Sequence, residues 1–145
     1  MRCKVDDLRR VPDENRQFFD YLGMDDVEID EEGHFSLSGE VGRHMVNPGG
    51  TMHAGVIFTL CDNAAAISLG RKGWRSVTMC SDMSFYHPVK PGEHLCARVF
   101  EQKLGKRTAV LRIEVRNQDA ELVAEGIFHM HRVLPHAAET SAENG

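Results

Sequence analysis

The sequence lacks the features that would place it in a membrane or export it. It contains no run of about 18 consecutive apolar residues, the length that a transmembrane helix needs. Its first residues, Met1-Arg2-Cys3-Lys4-Val5, include no apolar segment of the kind found in signal peptides. We therefore expect a cytoplasmic protein without a membrane partner.

Cysteines are few, and basic residues are outnumbered by acidic ones. The cysteines form no CxxC pair and no dense framework, which argues against a zinc knuckle or a disulfide scaffold and favours free thiols at Cys3, Cys61, Cys80 and Cys96. The formal net charge is -5. Nucleic-acid binding needs a concentrated basic face, so we expect no nucleic-acid partner.

Several sequence motifs of common enzyme classes are also absent. The chain has no phosphate-binding P-loop, no GxGxxG segment after a strand and no GxSxG nucleophile elbow. These absences argue against a P-loop NTPase, a dinucleotide-binding enzyme and an α/β-hydrolase.

The length and composition fit one compact domain. With 145 residues and 41% hydrophobic content, a single domain can bury roughly 70% of the surface of its unfolded chain. We assign residues 1–134 to that domain. Residues 135–145 are rich in Ala, Glu, Ser and Thr, and we expect them to form a disordered tail.

The first half of the chain predicts a helix, a hairpin, a loop and a second helix. Apolar residues at helical spacing indicate a helix over Asp13–Leu22 that Gly23 ends. Segments 27–30 and 35–41 predict a hairpin. Asn47-Pro48-Gly49-Gly50 predicts a shaped loop, followed by Thr51 as the helix N-cap. The helix predicted over 52–69 is apolar almost all round, which is typical of a buried helix.

The second half predicts four long strands, over residues 76–86, 94–104, 108–117 and 122–133, separated by turn-forming or charged residues. A helix this apolar must be buried against another element, and the antiparallel strands are the only partner that the chain offers. We predict an α+β fold in which a curved antiparallel sheet of five to six strands wraps the long helix. Its edge strand favours pairing with a second subunit.

Asp62 is the first candidate for chemistry. It lies nine residues after His53 within the apolar helix, where a carboxylate costs several kcal/mol unless it is paired or used. A satisfied buried carboxylate, or one that faces water at a subunit boundary, is as good an explanation as catalysis.

Asn47 and His53 flank the turn that leads into this helix. The unpaired N–H groups and the positive dipole end of a helix N-terminus suit an anion, so an oxyanion could be held there. Taken singly, Asn47 is better explained as a turn former and His53 as a polar residue of the first helical turn.

The stretch Val46–Asp62 resembles the signature of phenylacetate-pathway-type (PaaI-like) hotdog thioesterases. That signature consists of an asparagine, a short glycine turn, histidine-glycine-glycine and an aspartate nine residues after the histidine. Ala54 replaces the first of the two glycines, but its backbone N–H remains available. The resemblance extends from about Phe18 to the end of the last strand.

The resemblance implies a hotdog fold and hydrolysis of acyl-CoA at a site shared by two subunits. Asp62 would act as general base or nucleophile, and Asn47, His53 and the N–H of Ala54 would polarise the thioester carbonyl. Thr78 would help to hold the water, although a plain strand threonine is an equal alternative. Gly55 would contact the substrate.

The remaining expectations concern ligands and assembly. Lys106 and Arg107 would bind the CoA phosphates, with Arg71, Lys72 and Arg116 as further candidates and a solvated charged turn as the alternative. We expect no cofactor and no metal, because nearby sequence offers His129 and His131 no third ligand. A homodimer is the minimum and a homotetramer the expected state.

Two rival functions and the acyl group stay open. The chain could be a non-catalytic acyl-CoA sensor, although binding alone does not need a carboxylate beside the carbonyl. It could also be a hotdog dehydratase or hydratase.

Two smaller assignments remain. His44 is assigned only to shaping the loop. Five apolar residues could contact the acyl group or could equally be core residues: Phe58, Met83, Phe85, Tyr86 and Phe128.

Overall fold

The computed structural model describes residues 2–4 and 11–134, so the predicted tail over 135–145 lies outside the described residues. The elements follow in chain order: β1 (Arg2–Lys4), α1 (Asp13–Leu22), β2 (Asp26–Ile29), β3 (Phe35–Glu40), a 3-10 helix (Arg43–Met45), α2 (Ala54–Gly70), β4 (Ser76–Phe85), β5 (His94–Leu104), β6 (Thr108–Arg116) and β7 (Leu122–Arg132).

The strands form one antiparallel sheet in the order β1-β2-β3-β5-β6-β7-β4. The predicted architecture of one long helix against an antiparallel sheet is confirmed. The structure adds the three-residue strand β1, which is too short to show an alternating pattern in the sequence. In the described part of the chain, β4 is the long strand at an edge of the sheet.

Helix α2 packs against β3, β4, β5, β6 and β7, so the sheet wraps around it. Alternation in β6 explains how the core is filled, because the residues that face α2 are fully buried while those between them are partly exposed. Burial of one Leu or Ile side chain contributes roughly 1.5–3 kcal/mol. The helix itself buries Ile57, Leu60, Cys61, Ala64, Ala65, Ser68 and Leu69.

Helix α2 differs from its prediction in two respects. It begins at Ala54, and its N-cap is His53 rather than Thr51, because the Thr51 hydroxyl is engaged by the side chain of Asn47 instead. It is also not covered on every side. Phe58 is 36% exposed, and Asp62 is half-buried, because the sheet of one chain covers only part of the helix circumference.

Strand β4 exposes an unusual amount of apolar surface for a strand of the sheet. Val77 and Met79 are 52% and 59% exposed, and a bulge interrupts the pairing with β7 between Thr78 and Cys80. Long exposed edge strands with apolar side chains are sites of pairing with another chain. Among the described residues, no helix has the length and apolar character needed to span a bilayer.

Candidate active site

The clearest feature of the site is a hydrogen bond between β4 and α2. The hydroxyl of Thr78 donates to Oδ1 of Asp62 over 2.5 Å. Asp62 is half-buried and Thr78 is exposed, and within the described residues Oδ2 of Asp62 accepts no hydrogen bond. The carboxylate is therefore fixed through one oxygen, and the other is free to accept a proton.

His53 is held by the backbone at the start of α2. Its Nδ1 accepts a hydrogen bond of 2.8 Å from the N–H of Gly55. A ring nitrogen that accepts carries no proton, so in the neutral ring the proton lies on Nε2. The side chain is exposed, and its Nε2–H group is available to a ligand.

Ala54 supplies the first backbone N–H of the helix. Within the described part of the chain this N–H has no acceptor, as expected for the first residue of a helix, and it lies at the positive end of the helix dipole. The next N–H, that of Gly55, is already donated to His53. Of these two groups, only that of Ala54 can bind an oxyanion.

Gly55 is required here by close packing. A Cβ atom at this position would lie 2.9 Å from Nδ1 of His53. The structure thus gives Gly55 a specific part in the site: it lets the imidazole approach the backbone. A contact between Gly55 and the substrate stays a prediction.

Asn47 organises the loop before the helix. Its Oδ1 accepts from the N–H groups of Gly49 (2.9 Å) and Thr51 (3.3 Å), and its Nδ2 donates to the hydroxyl of Thr51 (3.1 Å). These contacts are those of a turn former, the alternative considered from the sequence. Because Nδ2 carries two N–H groups, one remains for a ligand.

A single chain brings these residues together in two groups rather than one. Asn47, His53 and Ala54 lie at the N-terminus of α2, and Asp62 and Thr78 lie further along it. Asp62 lies nine positions after His53, which corresponds to about 13 Å and about 2.5 turns of helix. The half turn places the two side chains on opposite sides of the helix.

A cavity adjoins the N-terminal group. It has a volume of about 230 Å³ and is lined by Met52, Ala54, Ile57, Phe85, Tyr86, His87, Pro88 and Val89. Two of the predicted acyl contacts, Phe85 and Tyr86, are therefore placed beside Ala54. The hydroxyl of Tyr86 donates to Glu125 (2.7 Å), and this hydrogen bond raises the pKa of the tyrosine.

The other predicted acyl contacts are placed differently. Phe128 is fully buried in the core and packs against Phe58 with ring centroids 5.4 Å apart, so in the isolated chain it is a core residue. Met83 packs on the core. A larger cavity of about 390 Å³ lies at the C-terminal end of α2 beside Ser68 and Arg71, and none of the predicted catalytic residues lines it.

The candidate phosphate-binding cations differ in their availability. Lys72 pairs with Glu101 at 2.9 Å and Arg116 with Glu114 at 3.3 Å. Within the described part of the chain, Lys106 and Arg107 in the turn between β5 and β6 have no carboxylate partner, and both are exposed. Arg71 is likewise exposed and without an ion pair there.

Sequence reasoning missed a charged cluster at the turn between β2 and β3. The guanidinium of Arg98 on β5 donates to Asp30 and lies 3.0 Å from Nδ1 of His34 and 3.4 Å from Glu32. Burial raises the pKa of Asp30. The hydrogen bond from the backbone N–H of His34 and the charge of Arg98 together lower that pKa by more, so its net shift is downward. The residues lie too far apart in sequence to signal this contact.

Comparisons with known proteins agree with this description. The sequence profile of the thioesterase superfamily matches residues 49–124. The chain is 31% identical over 112 residues to the acyl-coenzyme A thioesterase PaaI of Escherichia coli, covering 77% of this chain and 79% of that protein. It is 28% identical over 129 residues to a putative esterase of Archaeoglobus fulgidus, covering 87% and 83%.

Solved structures show the same likeness. The E. coli PaaI protein from the phenylacetic acid degradation operon superposes with a TM-score of 0.76 at 30% identity, covering 83% of this chain and 87% of that one. A Streptococcus mutans protein bound to acetyl CoA superposes with a TM-score of 0.69 at 30% identity, covering 74% and 86%.

Proposed function

Because the chain belongs to the thioesterase superfamily and is a thioester hydrolase with the hotdog fold, we propose that its substrates are acyl-CoA thioesters, which it cleaves to the free acid and CoA. The observation that carries the proposal is the hydrogen bond from Thr78 to Asp62. A carboxylate held by one oxygen and open at the other is the arrangement that a general base needs.

In the proposed reaction, the free oxygen of Asp62 takes a proton from water as the water oxygen attacks the thioester carbon. The Thr78 hydroxyl donates its hydrogen bond to Asp62. Its lone pairs therefore remain free to accept a hydrogen bond from the second O–H group of the water. When the carbon–sulfur bond breaks, the electron pair leaves with sulfur and Asp62 returns the proton to the thiolate. The products are the carboxylic acid and CoA.

The N-terminus of α2 supplies the oxyanion site of this reaction. Nε2–H of His53 and the N–H of Ala54 point to no acceptor within the described residues, and Asn47 holds the loop that positions them. One such donor contributes ~3–4 kcal/mol to transition-state stabilisation. The helix dipole adds to the effect.

We further propose that each site is shared between two subunits. His53 and Asp62 of one chain lie on opposite sides of α2, about 13 Å apart along its axis. In one thioester, by contrast, the attacking water lies only about 3–3.5 Å from the carbonyl carbon, to which the carbonyl oxygen is bonded. Pairing through the exposed edge of β4 would bring the Asp62 of one copy towards the His53 of another. The functional unit is then a homodimer, and a homotetramer would be a dimer of dimers.

The same proposal assigns the CoA phosphates to Lys106 and Arg107, whose charges are not neutralised within the described residues. The acyl group is assigned to the cavity beside Phe85 and Tyr86. The volume of about 230 Å³ in one chain favours small or aromatic acyl groups until a second subunit contributes further surface.

The test is release of free thiol from a panel of phenylacetyl-, benzoyl- and straight-chain acyl-CoA substrates. A blank without substrate corrects for the exposed thiol of Cys80. Free acid and CoA in equal amounts support the proposal. Addition or removal of water with the thioester intact would indicate a hydratase or dehydratase, and tight binding without turnover would indicate a sensor; either result contradicts it.

Single turnover in ¹⁸O-labelled water tests whether Asp62 acts as a nucleophile, because label in its carboxylate would establish an anhydride. A general base leaves its own carboxylate unlabelled, because water attacks the thioester directly. A nucleophile forms an anhydride with the acyl group, and water that opens the anhydride at the Asp62 carbon leaves label in the protein. We expect label in the released acid alone.

A further inference from the structure

Two histidines of β7 share a sheet face with a cysteine of β4. His129 and His131 alternate with the buried Phe128 and Met130, so both project from the outer face, the side of the sheet turned away from α2. Cys80 pairs directly with His129 in the ladder between β4 and β7, at the first pair after the bulge in β4. Directly paired residues project from the same face, and all three side chains are exposed.

We propose that Cys80, His129 and His131 form a binding site for a divalent transition-metal ion of the zinc class. Directly paired residues have Cβ atoms about 4.5–5.5 Å apart, and alternate residues of a strand are about 6.7 Å apart. One ion with bonds of about 2.3 Å to sulfur and about 2.0 Å to nitrogen can reach all three side chains. Thiolate and imidazole are ligands that such ions prefer.

The surroundings of the three residues suit a cation. The residues paired with the histidines are uncharged: Val110 opposite His129, and Thr108 and Val77 on either side of His131. Within the described residues, none of the three ligand side chains has a hydrogen-bond or ion-pair partner. An ion there would join the edge strand β4 to β7 and keep its fourth position for water.

A second group of residues with metal-ligand side chains lies at the turn between β2 and β3. Asp30, Glu32 and His34 have ligand atoms within 4.8 Å of one another, but the guanidinium of Arg98 already supplies the positive charge between them. No cation is paired directly with either histidine of the Cys80 group, and Lys103 lies one strand further, opposite Val110. The ligand atoms of Cys80, His129 and His131 do not all lie within 4.8 Å of one another, so binding requires rotation of these three exposed side chains.

This site was not expected from the sequence, because Cys80 is far from the histidines along the chain. The pairing of β4 with β7 places Cys80 beside the two histidines as the third ligand. Nothing in the proposed hydrolysis uses the ion, so the two proposals can fail independently.

The experiment is a titration of the reduced, chelator-washed full chain with Co²⁺, followed by its absorption spectrum. We expect one ion per chain and a thiolate-to-cobalt charge-transfer band. Cys80→Ser should abolish the band. His129→Gln and His131→Gln should each weaken binding by about tenfold or more.

Matched variants and a second readout complete the test. Cys96→Ser and His34→Gln should leave the band and the affinity unchanged. Zn²⁺ should raise the midpoint of thermal unfolding of the wild type, through preferential binding to the folded chain, and should not do so for Cys80→Ser. A band that persists in Cys80→Ser, binding that is lost in His34→Gln, or the absence of saturable Co²⁺ binding by the wild type would overturn the proposal.

Discussion

The backbone N–H of Gly55 donates a hydrogen bond of 2.8 Å to Nδ1 of His53. This contact fixes the ring at the start of α2 and leaves its Nε2–H free. It also explains why a residue without a side chain follows Ala54, since a Cβ at position 55 would lie 2.9 Å from the ring nitrogen.

Replacement of Gly55 by Ala separates stability from activity. Alanine is the better helix former by up to about 1 kcal/mol, which offsets the loss of the N-cap hydrogen bond to His53, so the thermal midpoint should change little. The added Cβ should displace the imidazole of His53 and lower kcat by up to about a hundredfold, the cost of a misplaced group. Steady-state kinetics and a melting curve check both parts, and full activity would show that the ring position does not matter.

Replacement of Ala54 by Pro tests the backbone donor directly. Proline is favoured at the first position of a helix, and the extended conformation of His53 (φ -62°, ψ 130°) is one that a residue before proline adopts. The fold should survive while kcat falls by about 10²–10³-fold, because the N–H is gone. Ala54→Ser, which keeps the N–H, should retain activity. Unchanged kcat in Ala54→Pro would remove this N–H from the mechanism.

Thr78 is proposed to position Asp62 and the water, and a pair of variants separates its hydroxyl from its shape. A hydrogen bond to a charged group contributes about 1.5–3 kcal/mol, so Thr78→Val should lower kcat by roughly tenfold to a hundredfold. Thr78→Ser keeps the hydroxyl and should restore most of the rate. Equal rates in the two variants would assign Thr78 to the strand alone.

Complementation tests the shared site. Asp62→Asn and His53→Ala should each be inactive, and a mixed dimer should contain one intact site if the two residues come from different subunits. Random mixing yields half mixed dimers, and hence about a quarter of the wild-type activity per chain. Two affinity tags allow the mixed dimer to be isolated. If it has no activity, the two residues act within one chain.

Most of the fold could be predicted from the sequence because its signals are local. The periodicity of α1, the alternation in β6 and the turn residues between strands depend only on neighbouring positions. The N-cap was misassigned because both Thr51 and His53 can cap a helix, and a side-chain contact between Asn47 and Thr51, which the pattern of residue types does not reveal, decides between them.

The candidate residues can be named from the sequence, but the contacts between them cannot be read from it. The asparagine, histidine and aspartate are visible as a spaced motif, whereas the Thr78 to Asp62 contact joins residues 16 positions apart. The cluster around Arg98 and the pairing of Cys80 with His129 depend on strand register, which a single sequence does not reveal.

The most direct test of the central claim compares wild type with Asp62→Asn for thiol release from an acyl-CoA that the wild type hydrolyses, together with the affinity of both proteins for CoA. The substitution keeps size and shape but removes the base, so we predict that kcat falls about a hundredfold or more while CoA affinity and assembly stay the same. Wild-type turnover by Asp62→Asn would contradict the account.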